Sequence, residues 1–585
     1  MTLIRNLLIA FLSFLSVLCV QAQNNFLHAY LPSDAKAVVN INLASLASKM
    51  SWQEFQQLSF FQQAMKDAPP DVHEFLKNPA ASGINFLNDL FIVMIPGKDE
   101  KEKPNAILYG TLTDTAKFRS LVQKIDPKSK VKTVGKIALL ASDKSSVAWT
   151  SGLFAMQLSK NKKTKPVAAS TKTPGLQAKE LISQYQALLT PTTNPLIKDQ
   201  RFAALMNESG DIRFWINRNF DAKKIKKNKA DEILKMMNWS MMQNGNFMTG
   251  VVRFEKGQAL VSMKTFMNEK MDSLYRLYPS KSLNANLLKK LPAGQPLVLL
   301  SFNMSTEMIA AMFKESGMEK MMDSLSQKSK INLKDIEDGL NGDLSLAVIK
   351  STEVDEKDSV TQAIGGIQFF IAASVKNKSK LESLMAQLQK PKEPKADQDS
   401  SGRKGGGPLS GMKPSLLLND SFFVAAISSF AAEKFLQSNA DNDVSKFVAP
   451  YAAHSSLFSL DLKTIIGFAM QMNKKKPADN EGTSKLAESF DKLVFYGGEY
   501  QDGACLSAAE LQFSNKDESS LKQFVSLIEL AMNMKGKKSS SNNPGETHTD
   551  EIKEENTATE RAEIVEETPP PPPKTKNENF NQEKN

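Results

Sequence analysis

The sequence predicts an α+β fold: two tandem copies of an antiparallel sheet-and-helix unit, helices mainly on one face of the sheet, then a disordered C-terminal tail. Three observations carry this. The stretch "YLPSDAKAVVNINLASL" (30–46) returns as "KLPAGQPLVLLSFNMSTEM" (290–308). "NAILYGTLTDTAKFRSLVQKI" (105–125) aligns without a gap with "QFFIAASVKNKSKLESLMAQL" (368–388). Short apolar runs broken by polar turns recur in the same order in both halves, as antiparallel hairpins require. At 585 residues the chain has room for more than one such unit.

Residues 1–22 read as a signal peptide. Arg5 supplies the positive end, "LLIAFLSFLSVLCV" (7–20) the apolar run, and cleavage is expected after Ala22. Acylation of Cys19 is the alternative, although Leu18 stands where a lipoprotein carries a small residue. The run is short for a bilayer span and no other segment is apolar enough, so the mature chain is expected to have no transmembrane span.

The first unit is expected over 23–279. Its opening strand ends at Asn42, and Trp52, Phe55, Leu58, Phe61 and Met65 then fall at helical spacing, a core-facing stripe. "GINFLNDLFIVMI" (83–95) gives a strand. The strand of 105–113 ends in Asp114, which caps a helix whose apolar face is Phe118, Leu121, Val122 and Ile125. "VAWTSGLFAMQL" (147–158) is strand, turn, strand; "RFAALMNESGDIRFWIN" (201–217) closes on a strand; "VVRFEKGQALVSMKTF" (251–266) turns at Lys256-Gly257 before a helix over 268–278.

The second unit, 284–533, repeats these in order. "KINLKDIEDGLNGDLSLAVI" (330–349) carries a seven-residue insertion, and Asn377 takes the place of Asp114 before Leu381, Leu384, Met385 and Leu388. "LLLNDSFFVAAI" (416–427) and "KFVAPYAAHSSLFSLDL" (446–462, matching 201–217) follow, then a hairpin turning at Asp502-Gly503 and a helix over 517–533. Strands thus end at Asn42, Asn217, Asn303 and Asp461, which are expected to cap helices rather than to converge on a ligand. "SKNKKTKPVAASTKTPG" (159–175) and "KEPKADQDSSGRKGGGPLSG" (392–411) read as surface linkers. The tail, 534–585, is polar and builds no core, and its proline run 569–573 is expected to be extended; an inert disordered end, a spacer and a docking segment are all open to it.

The formal charge of +10 is uneven, because residues 546–585 carry 11 acidic and 5 basic side chains. Lysine runs such as 159–166, 223–229 and 389–395 sit in loops without interleaved aromatics, so no nucleic-acid partner is expected. Once the leader is removed, Cys505 is the one thiol left, which excludes an internal disulfide; in "GACLSAAELQF" (503–513) it reads as a small apolar strand residue.

Catalytic signatures are missing. There is no HExxH, CxxC, GxSxG or GxxxxGK[ST], and the four histidines (His28, His73, His454, His548) are isolated. Ser401/Lys404 falls in a linker, Ser519/Lys522 is expected on a solvent-facing helix, and carboxylates are expected in charged loops such as 98–103 with nothing apolar to raise a pKa. No cofactor or metal is expected. Methionine is the unusual residue, 26 in all: Met304, Met308 and Met312 recur at i, i+4, i+8, with clusters at 236–242 and 318–322. Their thioethers suit Cu(I) or an adaptable apolar groove, but the helical period first implies packing on the protein's own sheet.

With "SGINFLNDLFIVMI" and "LYGTLTDTAKFRSLVQKI" added to the opening phrase, most of residues 26–533 resembles an uncharacterised bacterial family of exported proteins and lipoproteins, domain of unknown function 4836. The resemblance implies an envelope location and lends no catalytic residues. The expectation is a non-enzymatic cell-envelope protein, periplasmic or outer-membrane associated, binding an envelope protein or polymer or serving a structural role. Peripheral or lipid-anchored membrane association stays open. A carrier holding lipid or peptide on the Met304/Met308/Met312 face is the alternative, and an envelope polymer hydrolase acting through dispersed carboxylates is a third reading.

Overall fold

The computed structural model describes residues 25–540 except 69, 98–103, 142–145, 159–173, 218–243, 319–325, 328–331, 353–355, 357, 364, 390–413, 439–441 and 473–479. Cys19 and Ala22, most of both linkers, the methionine clusters apart from Met318, and the tail beyond 540 lie outside the described residues. Residues 1–535 form one compact unit; of the second, Gly536–Asn585, only the helix end 536–540 is described.

The described strands form one antiparallel sheet. They are β1 (Ala37–Ile41), β2 (Leu90–Ile95), β3 (Asn105–Thr111), β4 (Lys132–Val134), β5 (Ile137–Ala141), β6 (Ser146–Trp149), β7 (Leu153–Gln157), β8 (Ile212–Asn217), β9 (Phe247–Phe254) and β10 (Gln258–Phe266) in the first half. The second half holds β11 (Gly294–Asn303), β12 (Leu340–Ser351), β13 (Ile367–Val375), β14 (Ser415–Leu418), β15 (Phe422–Ala426), β16 (Ser456–Asp461), β17 (Phe490–Gln501) and β18 (Ala504–Phe513). Across the sheet the order is β4-β5-β6-β7-β3-β2-β1-β8-β9-β10, then β18-β17-β16-β11-β12-β13-β15-β14.

The order β6 to β10 therefore recurs, mirrored, as β18 to β14, and the register recurs with it. Val38 lies between Val93 and Trp215, and Leu299 lies between Ala347 and Ser459. Phe91 opposes Tyr109 as Ser345 opposes Ala372. The halves meet where β10 pairs with its own counterpart β18, Ser262 opposite Ala508, two matching positions about a pseudo-twofold axis.

The register of the β8 and β16 pairs agrees with the matched strand ends Asn217 and Asp461: Trp215 stands at the place of Ser459.

Local chemistry accounts for the turns and helix starts. Gly257 (φ +68°) and the Asp502-Gly503 pair (φ +51° and +78°) supply the left-handed backbone that tight hairpins need. Asn42 accepts from the Ser45 N–H, Asp114 from those of Ala116 and Lys117, and Asp461 from that of Thr464. Asn303 departs from the expected capping role. Its amide donates to the Ser282 carbonyl, and Ser305 caps the helix Thr306–Glu315 instead. Asn217 leads into residues outside the description. The stretch expected to carry the insertion holds the helix Leu333–Gly339, capped by Asn332, but Gly339 is the counterpart of Gly83: its carbonyl accepts from the Lys376 and Asn377 N–H groups as that of Gly83 does from Thr113 and Asp114.

The stripe is buried from Trp52 to Phe61 and half-buried at Met65, but it does not lie on one helix. A capping box of Ser51 and Glu54 starts the helix Trp52–Gln56, and a second helix, Ser59–Asp67, begins after Leu58. Nor do helices keep mainly to one face. In the first half, Ile41, Leu90, Leu108 and Phe154 pack under Trp52, Phe55, Phe61 and Phe118, whereas Val38, Phe91, Val93 and Tyr109 pack on the opposite face under Leu31, Tyr185 and Phe202. The cause is visible in "LFIVMI" and "NAILYG", which are apolar at consecutive positions and so need cover on both sides.

The helices after the two central hairpins cross the join. In Ser520–Ser540, Leu521, Val525 and Leu527 enter the first half's core, Lys522 pairs with Glu54, and Glu529 accepts from the Ser59 N–H. Ser519/Lys522 thus begins a helix docked on the core, not the solvent-facing one expected. In the other direction, Glu269–Leu277 reaches the second half through Lys270–Glu315 (3.3 Å), and Tyr275 stacks on Tyr500. No described helix is long and apolar enough to cross a membrane.

Candidate functional site

Because the registers match, the two halves can be compared position by position, and one face differs. In the first half Leu90, Leu108 and Phe154 are 0%, 1% and 2% exposed. Their counterparts Leu344, Ile371 and Phe423 are only half-buried. The same holds for Ile41 and Leu43 against Phe302 and Met304, and for Val147 and Trp149 against Leu416 and Leu418. Full burial of a Leu or Phe is worth about 1.5–3 kcal/mol. Seven half-buried positions therefore leave on the order of 5 kcal/mol to be gained by whatever completes their cover.

The methionine helix Thr306–Glu315 borders this face against β12. Its ends are tied by Glu307–Lys376 (3.1 Å) and Glu315–Lys270. The structure breaks up the expected Met304/Met308/Met312 stripe. Met308 is 1% exposed, Met312 is half-buried, and Met304 precedes the cap Ser305, so it is not on the helix. The Met304 carbonyl fits against Gly342 (φ +96°), where an added Cβ would come within 2.1 Å of that oxygen. Met304 instead fills the place that Leu43 holds in the first half.

Polar groups missed at the level of motifs gather in the first half. The Asp211 carboxylate, with no exposed side-chain surface, accepts from Ser45 Oγ (2.6 Å), Lys49 Nζ (2.7 Å) and the Phe254 N–H (2.6 Å). Beside it, Arg213 donates to Asn40 Oδ1 (2.8 Å) and the Glu208 carbonyl, while Asn40 donates to Asp89. Burial raises the Asp89 carboxyl against the opposing pull of Asn40 and Arg213; burial likewise lowers Arg213. Carboxylates are therefore not confined to charged loops, and Asp89 does have the apolar surroundings that raise a pKa. The signal was present as single polar residues inside apolar strands, "AVVNI" and "IRFWIN".

These groups answer one another and the backbone. They tie β1, β2, β8 and β9 to the helix Leu43–Lys49, the geometry of a structural lock. In the second half Ser301, Leu457 and Ser455 stand at the places of Asn40, Arg213 and Asp211; Asp343 persists at that of Asp89, bound by Ser374 and Asn284.

Two smaller clusters lie near the join. Glu510 accepts from Tyr451 and Tyr496, and His454 Nδ1 meets Glu499 at 2.9 Å. Cys505 is half-buried beside Tyr275, and burial pushes its thiol up, away from the reactive thiolate. Among the described residues no three His, Cys, Asp or Glu side chains group as a metal site would.

The sequence model of one family, described as "Domain of unknown function (DUF4836)", matches residues 28–401. No curated protein matches the chain. Among solved structures, crystal form III of TP0453 is 12% identical, covering 44% of this chain and 87% of that one at a TM-score of 0.24. Crystal form IV is 10% identical, covering 43% and 84% at 0.23.

Proposed function

The chain belongs to the DUF4836 family, and from that premise we propose that it is a non-enzymatic binding protein of the cell envelope, exported by its N-terminal leader, which holds an apolar ligand on the second half's open face. The observation that carries this reading is the contrast at matched positions: Leu90, Leu108 and Phe154 buried, Leu344, Ile371 and Phe423 half-buried on equivalent strands. A face that the same fold can bury completely, left half-covered beside adaptable methionines, fits a ligand that supplies the missing cover. Export through cleavage after Ala22 or lipidation at Cys19 belongs to the same proposal.

Native mass spectrometry of the mature chain purified without detergent tests it. The expected result is a co-purified apolar mass released by organic solvent, with uptake of a fluorescent apolar probe reduced severalfold by Ile371→Trp. A clean ligand-free mass together with no probe uptake would sink the reading.

A further inference from the structure

The two halves differ at their outer edges. In the first, β6 (Ser146–Trp149) is buried at every position and pairs on its outer side with β5, Ala138 to Ala141 lying opposite Trp149 to Ser146. In the second, the counterpart β14 (Ser415–Leu418) is half-buried at every position and, among the described residues, pairs only with β15. The sequence offers no replacement for β5. Where 126–145 contains "IALLA", residues 390–413 have Leu409 and Met412 as their only large apolar side chains. An edge of main-chain donors and acceptors with no strand beside it among the described residues, flanked by leucines, is a template for one more strand.

We infer that β14 is a docking edge for a short apolar segment of a partner protein, which adds to the sheet as an antiparallel strand in the place that β5 fills in the first half. The molecule's own first half defines the occupant. In the β5 position Leu140, Leu139 and Ala138 oppose Val147, Ala148 and Trp149, so a docked strand would set equivalent side chains against Leu416, Leu417 and Leu418. It must be apolar on both faces: Leu417 belongs to the second half's closed core, whereas Leu416 and Leu418 lie on the open face. Pro414, which has no N–H to offer, limits the pairing to about four residues, the length over which β5 meets β6. Affinity would come from main-chain hydrogen bonds and side-chain preference from the leucines. The inference stands apart from the ligand reading, because it rests on the strand edge rather than on the face.

Hydrogen–deuterium exchange on the whole mature chain tests it, with the peptide KIALLAS (the sequence of residues 136–142) as probe. At about ten times its Kd the peptide should slow exchange at Ser415–Leu418 roughly tenfold. Of two N-methylated versions, one blocked at the positions of Ala138 and Leu140 and one at those of Leu139 and Ala141, only one should retain the effect, since a single edge of the strand faces β14. No protection would overturn the proposal. So would protection by both blocked peptides, which would mean adsorption to the apolar face. Concentration-dependent protection of the same amides by self-association without peptide would assign the edge to a second copy and overturn it too.

Discussion

Asp211 shows how much one side chain can fasten. It takes a hydroxyl and an ammonium from the helix Leu43–Lys49 and a main-chain N–H from β9, so Asp211→Ala strands all three donors in a buried setting. We expect a loss of about 3 kcal/mol by urea unfolding. Ser455→Ala, at the matching place, removes one hydrogen bond to the Gly497 carbonyl and should cost about 1 kcal/mol. Glu54 gives a pH signature. Its hydrogen bond to the Lys522 ammonium, then those to Ser51, bring its carboxyl down to about 2 from an ordinary value of 4.5. A depressed folded-state value means that this carboxylate stabilises the docked helix above the ordinary value and ceases to do so as pH falls toward 2. The pair is half exposed, so the effect stays below about 1 kcal/mol. Exchange in Ser520–Ser540 should rise between pH 4.5 and 2, and Glu54→Gln should remove that rise. Asp211 is far in sequence from Ser45 and Lys49, and Glu54 from Lys522, whereas the Ser51–Glu54 box is local; Asp211 is legible only as a charge beside an apolar strand.

At the scale of elements, strands and turns were largely legible, because alternation, caps and turn glycines are local. Asp114, Asn42 and Gly257 each do what their residue type and place imply. What was hidden needed tertiary context. The Trp52–Met65 stripe has helical spacing, but the capping box at Ser51 divides it. The half-buried state of Leu344, Ile371 and Phe423 has no trace in a sequence that reads as apolar in both copies. The difference predicts unequal mutational costs: Leu108→Ala should lose about 3 kcal/mol and Ile371→Ala about half of that, by urea unfolding of the ligand-free chain. Equal losses would show that the second face is as closed as the first.

For the whole molecule, the pairing of β10 with β18 and the exchange of the terminal helices make each half depend on the other. A fragment of residues 23–279 leaves the outer edge of β10 without β18 and removes Leu521, Val525 and Leu527 from its core. It should be aggregation-prone alone and recover on mixing with 280–540, read by size-exclusion chromatography. The account rests most heavily on the central join, and a designed cysteine pair tests it directly. In a Cys505→Ala background starting at residue 23, Ser262→Cys with Ala508→Cys places two thiols directly opposite each other across β10 and β18. Mild oxidation should give a monomeric, internally crosslinked chain in high yield. Free thiols that persist, or crosslinking only between molecules, would contradict the continuous sheet on which the comparison of the two halves depends.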